Sequence, residues 1–454
     1  MSIGRYSVGT GDRFGKEGVA QVMAFEKLKQ TYGVDVDIVW NKSNREHITI
    51  HTEPADQRKA ADEAIAATGW HGQYFVDADH IGLSNLDWFI GCCDFWTIDV
   101  TDCIGKPTGT EQTAAFLASA RQLLGMIEPV GTKPIKITEQ VLQTVAERYL
   151  FGVEEARRIY DHLVDNNATI GHIEVSMDES PQTQSPAELY AILFAIAQAG
   201  IPIDTVAVKF QGRFNKGIDY VGDVGAFLTE FRADVAVVKL ATTQFGLHEN
   251  LKLSVHTGSD KFSLYPGIGR IVRELDAGLH LKTAGTTWLE ELIGLAEADG
   301  PGLSIAKQVY RGAHARFEEL TAPYTDVIDI DRDALPSPDE VDGWTSRRFA
   351  SALRHNRSNP EYDLNVRQLL HVGYKVAAEL GEEYLAQLDA CRADIERKIR
   401  DEYLLDKSGA GWYKIRNALK KAAPQTDFAP FETTYAALAA KLEPLVYEYG
   451  FLKE

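Results

Sequence analysis

A short apolar strand that ends in polar residues and leads into a helix recurs through the first two thirds of the chain. Strands that alternate with helices are typical of parallel sheets, and eight such units predict a closed (β/α)₈ barrel of the TIM type. A doubly wound open sheet is the alternative architecture, but no G-x-G-x-x-G motif follows the first strand. The eight predicted strands cover residues 5–14, 36–42, 73–80, 95–102, 168–180, 203–213, 251–262 and 279–285.

The fifth unit carries the clearest local signals. In the strand 168–180, apolar residues at odd positions alternate with polar residues at even positions, as in a strand with one buried face. The next helix is predicted to start at Ser185 as N-cap, with Pro186 at its first position and Glu188 closing a capping box. Gly200 is predicted to end that helix.

The pattern changes after the eighth unit. We therefore predict a catalytic barrel over 1–323, an acidic, proline-containing linker over 324–343 and a helical C-terminal region over 344–454. Helical signals in that region lie at 365–405 and 430–448. The region could cap the barrel or build an oligomer interface, and the sequence leaves the oligomeric state open.

Charge and cysteine content restrict the kind of partner and the location. The 454 residues carry a formal net charge of −19, which disfavours nucleic acid and anionic membranes but not a small anionic substrate in a local basic pocket. The four cysteines have no zinc-ribbon or C-x-x-C spacing and are predicted to be reduced thiols. The N-terminus lacks an apolar signal segment, and no apolar run is long enough to span a membrane. These features predict a cytoplasmic protein.

Three histidines lie at or near predicted strand ends: His80, His256 and His280. Since strand ends meet at one rim of a barrel, three neutral imidazoles there could hold a divalent cation such as zinc, nickel, cobalt, manganese or iron. Each histidine alone could instead be a hydrogen-bonded residue near the core. His172, deeper on its strand, is predicted as an outer group that supports the ligands, or as a fourth ligand.

Two carboxylates are the predicted acid and base. Asp79 directly precedes His80, where the end of the strand could turn both side chains toward the site, and a carboxylate beside a metal ligand is a suitable base. It could also cap a helix or brace a histidine. Glu174 is predicted to point into the barrel, where a carboxylate is costly unless it is paired or functional. Its alternative role is an ion pair with Lys209 on the next strand.

Cationic and polar groups at the same rim suit a carboxylate or phosphate on the substrate. A barrel lysine can also form a Schiff base, which keeps a class I aldolase as an alternative. The turn at 257–259 could present backbone N–H groups to an oxyanion. The predicted substrate-binding residues are Lys209, Arg213, Ser259, Asp260, Lys261 and Lys282.

Four segments together resemble the tagaturonate epimerase family: VDADHIGLSN, HIEVSMDE, LSVHTGSDKFSLYPGIGR and LHLKTAGTTWLEE. The resemblance covers the barrel and runs into the C-terminal helices. It implies a metal-dependent enzyme of hexuronate catabolism that interconverts D-tagaturonate and D-fructuronate. Family members are similar to epimerases that act on the neutral sugars tagatose and fructose. The segments also look like the metal-binding strand ends of class II aldolases.

The implied reaction limits the chemistry. The two uronates differ at the carbon β to the ketone, whose proton simple enolisation does not make acidic. Transient oxidation would need a nicotinamide or similar cofactor, and the sequence shows no dinucleotide fingerprint. Retro-aldol cleavage and re-addition is therefore the favoured route. The alternatives are a class II sugar-acid aldolase, a ketohexose 4-epimerase and a non-catalytic sugar-acid sensor.

Overall fold

In the computed structural model, which describes residues 2–283, 285–357 and 359–397, eight parallel strands close into a barrel. The predicted fold class is confirmed, since each predicted strand segment overlaps one barrel strand. The barrel order is β1-β10-β9-β8-β7-β4-β3-β2, and β5 and β6 form a separate antiparallel hairpin. The strands are β1 Tyr6–Thr10, β2 Asp37–Ser43, β3 Tyr74–Ile81, β4 Phe95–Asp99, β5 Gly125–Ile127, β6 Ile135–Ile137, β7 His172–Ser176, β8 Thr205–Ala207, β9 Lys252–His256 and β10 Leu279–Lys282.

Helices cover the outside of the barrel and continue beyond its last strand. Short 3₁₀ turns lie at Leu86–Phe89, Thr101–Cys103, Arg121–Leu123, Ala322–Tyr324 and Arg332–Ala334. The α-helices of the described residues are α1 Gly18–Tyr32, α2 Asn44–Ile50, α3 Pro54–Thr68, α4 Thr110–Ala120, α5 Glu139–Arg148, α6 Leu150–Asp165, α7 Pro186–Ala199, α8 Val224–Phe245, α9 Tyr265–Glu274, α10 Thr286–Glu297, α11 Gly300–Ala315, α12 Phe317–Thr321, α13 Pro338–Asp342, α14 Ser346–Leu353, α15 Leu364–Val372, α16 Tyr374–Leu380 and α17 Glu382–Ala390.

Local capping explains where α7 begins and ends. The Ser185 side chain accepts from the Glu188 backbone N–H, the Glu188 side chain accepts from the Ser185 backbone N–H, and Pro186 occupies the first turn. Gly200 ends the helix in the left-handed conformation at φ 67°, which glycine adopts without the steric cost that a Cβ brings. The predicted capping box is confirmed.

The barrel interior changes from apolar at the bottom to polar at the top. Ile3, Val39, Phe75 and Phe95 form a small apolar cluster at the lower end. Parallel register places Lys282 beside His256 at the upper ends of β10 and β9. The charged side chains that line the barrel cavity therefore lie at the C-terminal mouth of the strands, as in other barrels of this type.

Helices beyond the eighth strand unit pack on the barrel. The indole N–H of Trp288, on α10, donates to the Leu370 carbonyl of α15 at 2.7 Å. The stretch predicted as a linker contains the 3₁₀ turn Arg332–Ala334 and α13. The predicted division into domains stays a prediction, and the helical signal at 430–448 lies outside the described residues. Within the described ranges, no helix has both the length and the apolar character to cross a bilayer.

Candidate active site

The end of β3 turns two adjacent side chains toward the barrel mouth. His80 has a left-handed backbone, φ 57°, and the pairing of β3 with β4 shifts register between Ala78 and Ile81. Regular strand alternation would send Asp79 and His80 to opposite faces, so this local turn is what brings both into the same cavity. Such a backbone is uncommon for a residue with a Cβ and is often found at functional sites.

His256, at the end of β9, lies between two carboxylates. Its Nε2 donates to Glu174 Oε1 at 2.6 Å, and its Nδ1 lies 3.1 Å from Asp178 Oδ2 without hydrogen-bond alignment. The bond to Glu174 occupies Nε2 and leaves Nδ1 directed toward Asp178. A carboxylate that fixes one ring nitrogen in this way is a common support for a histidine that ligates metal through the other.

His80, Asp178 and His256 form a group that could hold a metal ion. One ligand atom from each lies within 4.8 Å of the others, and the two imidazole centroids are 5.2 Å apart. His80 Nδ1 contacts Asp99 Oδ2 at 3.3 Å, which leaves its Nε2 for the cation. Two imidazoles and one carboxylate suit iron, zinc, nickel, cobalt or manganese, so this donor set fits a divalent cation.

The charges around His80, Asp178 and His256 also favour a bound divalent cation. Burial would lower the pKa of both histidines. Asp79 and Asp99 nevertheless raise the pKa of His80 to about 10, and Asp178 and Glu174 raise the pKa of His256 to about 9. Without a cation, each imidazole therefore holds a proton that balances nearby carboxylates. A divalent ion would supply that positive charge and displace the protons.

His280 lies one layer deeper than the other two predicted ligands. In register it pairs with Ser254, whereas Lys282 pairs with His256. Its Nδ1 shares a hydrogen bond of 2.9 Å with the Ser7 hydroxyl, and burial lowers its pKa to about 3. The structure therefore does not bring His280 into the group with His80 and His256, and Asp178 takes the third position.

His172 lies at the lower end of the barrel. Its Nδ1 is 3.1 Å from Asp204 Oδ2, and its ring packs edge-on against Phe75 at 4.5 Å between centroids. Glu174 lies two residues further along the strand, at the level of the site. His172 is thus a buried histidine beneath the site and belongs neither to the candidate metal group nor to the cavity wall.

Lys282 is held by carboxylates at the base of the cavity. Its Nζ lies 2.8 Å from Asp77 Oδ2, 2.6 Å from Asp79 Oδ1 and 3.6 Å from Glu174 Oε1. Burial would lower the pKa of Lys282, but these carboxylates raise it above its usual value. A Schiff base needs a neutral amine, so the paired ammonium disfavours the class I aldolase alternative for this lysine.

Glu174 is fully buried and fully satisfied. Thr205 Oγ1 donates to its Oε2 at 2.6 Å, and His256 donates to its Oε1. Burial would raise the pKa of Glu174, but His256 and Lys282 hold it well below its usual value. The cations that pair with Glu174 are His256 and Lys282, and no ion pair with Lys209 occurs among the described residues.

Two of the predicted substrate-binding residues line the cavity, which has a volume of about 380 Å³: Lys209 and Lys282. Arg213 points away from it and contacts Asp329 Oδ2 at 3.4 Å on the outside. The reason is that β8 ends at Ala207, well before the predicted end of that strand. The chain then forms a loop in which Arg213 pairs with Val221.

The remaining predicted binding residues lie behind the cavity wall. Ser259, Asp260 and Lys261 are each fully buried, and Lys261 Nζ donates to the Ser259 hydroxyl at 2.9 Å. Ser259 Oγ in turn accepts from the Gly217 backbone N–H at 3.0 Å. These residues connect two loops at the mouth, so their observed contacts are structural.

Sequence reasoning missed Asp99 and Asp178 as site residues. Asp178 follows β7 by two residues, in the same segment as Glu174, and a polar residue just past a strand end was the available signal. Asp99 is the last residue of β4, and the same rule applied to that strand would have found it. A second cavity, of about 630 Å³, lies near the β5–β6 hairpin, and its lining carries no charged side chain.

Comparisons with known proteins agree on one family. A sequence model described as tagaturonate epimerase matches residues 1–389. The tagaturonate/fructuronate epimerase of Thermotoga maritima is 28% identical over 384 residues, which cover 82% of this chain and 73% of that protein. Crystal structures of fructuronate-tagaturonate epimerase from Cohnella laeviribosi, native and with one bound glycerol, superpose with TM-scores of 0.71 and 0.72. At 23% identity, with 90% of this chain and 82% of that chain covered, they show a shared fold.

Proposed function

Because this chain belongs to the tagaturonate epimerase family, we propose that it interconverts D-tagaturonate and D-fructuronate. The observation that carries the proposal is the group of His80, Asp178 and His256, which opens into the same cavity as Asp79 and Lys282. A metal-binding group beside a carboxylate and an ammonium provides what cleavage of a carbon–carbon bond next to a ketone requires.

The proposed chemistry is a retro-aldol cleavage followed by re-addition. The hydroxyl on the reacting carbon gives its proton to a base, and the O–H electron pair forms a carbonyl. The bond between the α and β carbons breaks, and its electron pair moves into an enediolate on the ketone fragment. The aldehyde fragment turns its other face, the bond forms again and the proton returns, so no oxidant or reductant is consumed.

His80, Asp178 and His256 would hold the divalent cation. When bound, such a cation supplies Lewis-acid stabilisation to negative charge that develops beside the ketone. Glu174 and Asp99 fix the orientation of the two imidazoles through their outer nitrogens. Because both supporting carboxylates are buried or half-buried, the rings have little freedom to leave this arrangement.

Asp79 is the proposed base for the substrate hydroxyl. It lines the cavity, and Lys282 and His80 hold its pKa below the usual value despite its burial, so it is an ionised acceptor. Lys282 Nζ lies 2.6 Å from Asp79 Oδ1, and its ammonium would keep Asp79 ionised until the carboxylate accepts the substrate proton. The sequence predicted Glu174 as the partner of Asp79 in acid–base catalysis. In this proposal Glu174 lies beneath His256 and does not contact the substrate proton directly. It influences that proton only through the His256 ring or through Lys282.

Metal analysis of the purified protein and a fructuronate–tagaturonate exchange assay test this proposal together. We expect a bound divalent metal and exchange activity that a chelator removes and added metal restores. A His280→Gln variant is the matched control, because that histidine lies outside the candidate metal group and should leave the metal content unchanged. Full exchange activity after complete removal of metal would refute the metal-dependent mechanism, and absence of exchange in the metal-loaded protein would refute the function.

A further inference from the structure

One wall of the cavity carries cations that the proposed chemistry does not use. Lys216, in the loop between β8 and α8, reaches over the turn after β9, and its Nζ lies 3.3 Å from where a Cβ on Gly258 would be. In the described part of the chain, Lys216 has no ion-pair partner. Its backbone N–H donates to the Val327 carbonyl at 2.7 Å, so the loop is fixed in place.

Arg45 and Arg13 approach the same wall from the other side. Arg45 lies over the ring of Tyr324, with its guanidinium carbon 5.7 Å from the ring centroid, and it has no ion pair with any described residue. Arg13 is paired with Glu46 and stacks on Tyr374 at 4.4 Å. Of Arg13, Arg45 and Lys216, the two without an ion pair to a described residue are therefore Lys216 and Arg45, and Lys209 lines the same cavity.

His371, on α15, adds a buried donor or acceptor to this wall. It is 3% exposed and lines the cavity, and its Nε2 has no hydrogen-bond partner among the described residues. A buried polar atom without a partner is rare in folded proteins, and because His371 lines the cavity, a bound ligand can supply the missing hydrogen bond. Burial, followed by the nearby charges of Arg13 and Lys216, lowers the pKa of His371 well below its usual value.

The electrostatic field on this wall is positive in a chain whose formal net charge is −19. Burial raises the pKa of Tyr324, yet a hydrogen bond with Tyr374 and the charges of Arg13, Lys216 and Arg45 leave it below the usual value. The same three cations would favour a negative charge on a ligand at this wall. A carboxylate gains most from such a site because it accepts charge-assisted hydrogen bonds.

We propose that Lys216, Arg45 and His371 form the subsite that binds the carboxylate of the sugar acid. This inference rests on the proposed function. It replaces Arg213 and Lys282 of the sequence prediction, since one faces outward and the other is paired at the cavity base. Lys209, the third residue predicted to receive the carboxylate, also lines the cavity and stays a prediction. In a hexuronate the carboxylate lies two carbons beyond the reacting carbon. The candidate metal group and the cationic wall line one cavity, so a single substrate can contact both.

The same subsite would decide whether the enzyme works as an epimerase or as an aldolase. After cleavage of the α–β bond, the aldehyde fragment keeps the carboxylate, and the ketone fragment keeps the enediolate. Contacts from Lys216 and Arg45 would hold the aldehyde fragment while it rotates and presents its other face. A weaker subsite should therefore let the aldehyde escape, which converts part of each turnover into net cleavage.

The test compares Lys216→Met, Arg45→Met and, as a matched control, Lys59→Met, whose lysine on α3 is 73% exposed far from the cavity lining. Calorimetry measures binding of D-fructuronate and of neutral D-fructose, separately from turnover, and metal analysis checks the metal content. Wild type should bind the uronate at least tenfold more tightly than D-fructose. Lys216→Met should raise KM and Kd for the uronate by about 10- to 100-fold, since a hydrogen bond to a charged group is worth that much.

Further results support or overturn the subsite. Unchanged D-fructose binding, unchanged metal content and released three-carbon aldehyde in Lys216→Met would support it, and Lys216→Arg, which keeps the charge, should retain most of the affinity. A uronate Kd within twofold of wild type in both Lys216→Met and Arg45→Met would overturn it. If wild type binds D-fructuronate through these residues but does not convert it, the proposed function fails and the anion subsite stands.

Discussion

Replacement of Lys282 with methionine should destabilise the metal-free protein by about 4 kcal/mol, because removal of one partner of a buried ion pair typically costs 3–5 kcal/mol. Lys282 is 6% exposed, and its partners Asp77 and Asp79 are 0% and 15% exposed. Its Nζ also donates to Thr97 Oγ1 at 2.8 Å. Methionine fills a similar volume, so the change removes charge and hydrogen bonds and leaves the packing nearly intact.

The predicted loss is a large part of the total stability. Folded domains are stable by roughly 5–15 kcal/mol. The unfolding entropy of a 454-residue chain is about 1 kcal/mol/K, so loss of about 4 kcal/mol should lower the thermal midpoint by roughly 4 °C. Two buried carboxylates would remain without their cation. The double variant Asp79→Asn with Lys282→Met should therefore recover part of the loss, since it removes one of those carboxylates.

Thermal unfolding followed by circular dichroism, with a chelator in every sample, measures this effect. Lys282→Arg, which keeps the charge, should lie between wild type and Lys282→Met, and Lys59→Met should match wild type within 1 °C because that lysine is exposed. A midpoint for Lys282→Met within about 1 °C of wild type would refute the reasoning, since the buried ion pairs would then contribute nothing net.

Four further substitutions test the site and the surrounding fold. Asp178→Asn should abolish stoichiometric metal binding measured by elemental analysis, whereas His280→Gln should keep it; equal metal content in both would contradict the assignment. Asp79→Asn should lower kcat by about 100-fold with little change in KM, as expected for loss of a proton acceptor. Glu174→Gln should instead weaken metal affinity by about 10- to 100-fold, and its activity should return in excess metal. Burial lowers the pKa of His47 from 6.5 to about 4, so the unfolded chain takes up a proton there that the folded chain excludes. The stability that the neutral His47 side chain contributes is therefore fully present above pH 6.5, and the free energy of unfolding should fall by up to roughly 3 kcal/mol as the pH drops to 4. Urea unfolding of His47→Gln should show a smaller fall over the same pH range. An equal fall in this variant would rule out His47 as the cause.

The barrel was predictable from sequence because its signals are local. Alternation of apolar and polar residues marks β7 and β9, and the Ser185 capping box marks a helix start within four residues. Adjacent Asp79 and His80 were correctly expected to turn together at a strand end, although the left-handed backbone that does this leaves no mark in the sequence.

Depth within the barrel was not predictable from one sequence. His256 and His280 lie on neighbouring strands, and the register between β9 and β10 decides which of them reaches the mouth. That register depends on pairing between segments that are distant in sequence. The strand pattern therefore gives the face to which each side chain points but not its position along the barrel axis. Asp178 entered the group because its loop folds back over His256, a contact between residues 78 positions apart that no local pattern encodes.

The cavity wall contributed by Tyr324, His371 and Tyr374 has a consequence for how the protein is made. A ribosome delivers the chain from its N-terminus, and domains generally fold in that order. Arg13 and Arg45 emerge early, but the far wall must wait until α15 has left the exit tunnel. A nascent chain arrested after β10 would hold every barrel strand and still present an open, unselective mouth to the sugars around it.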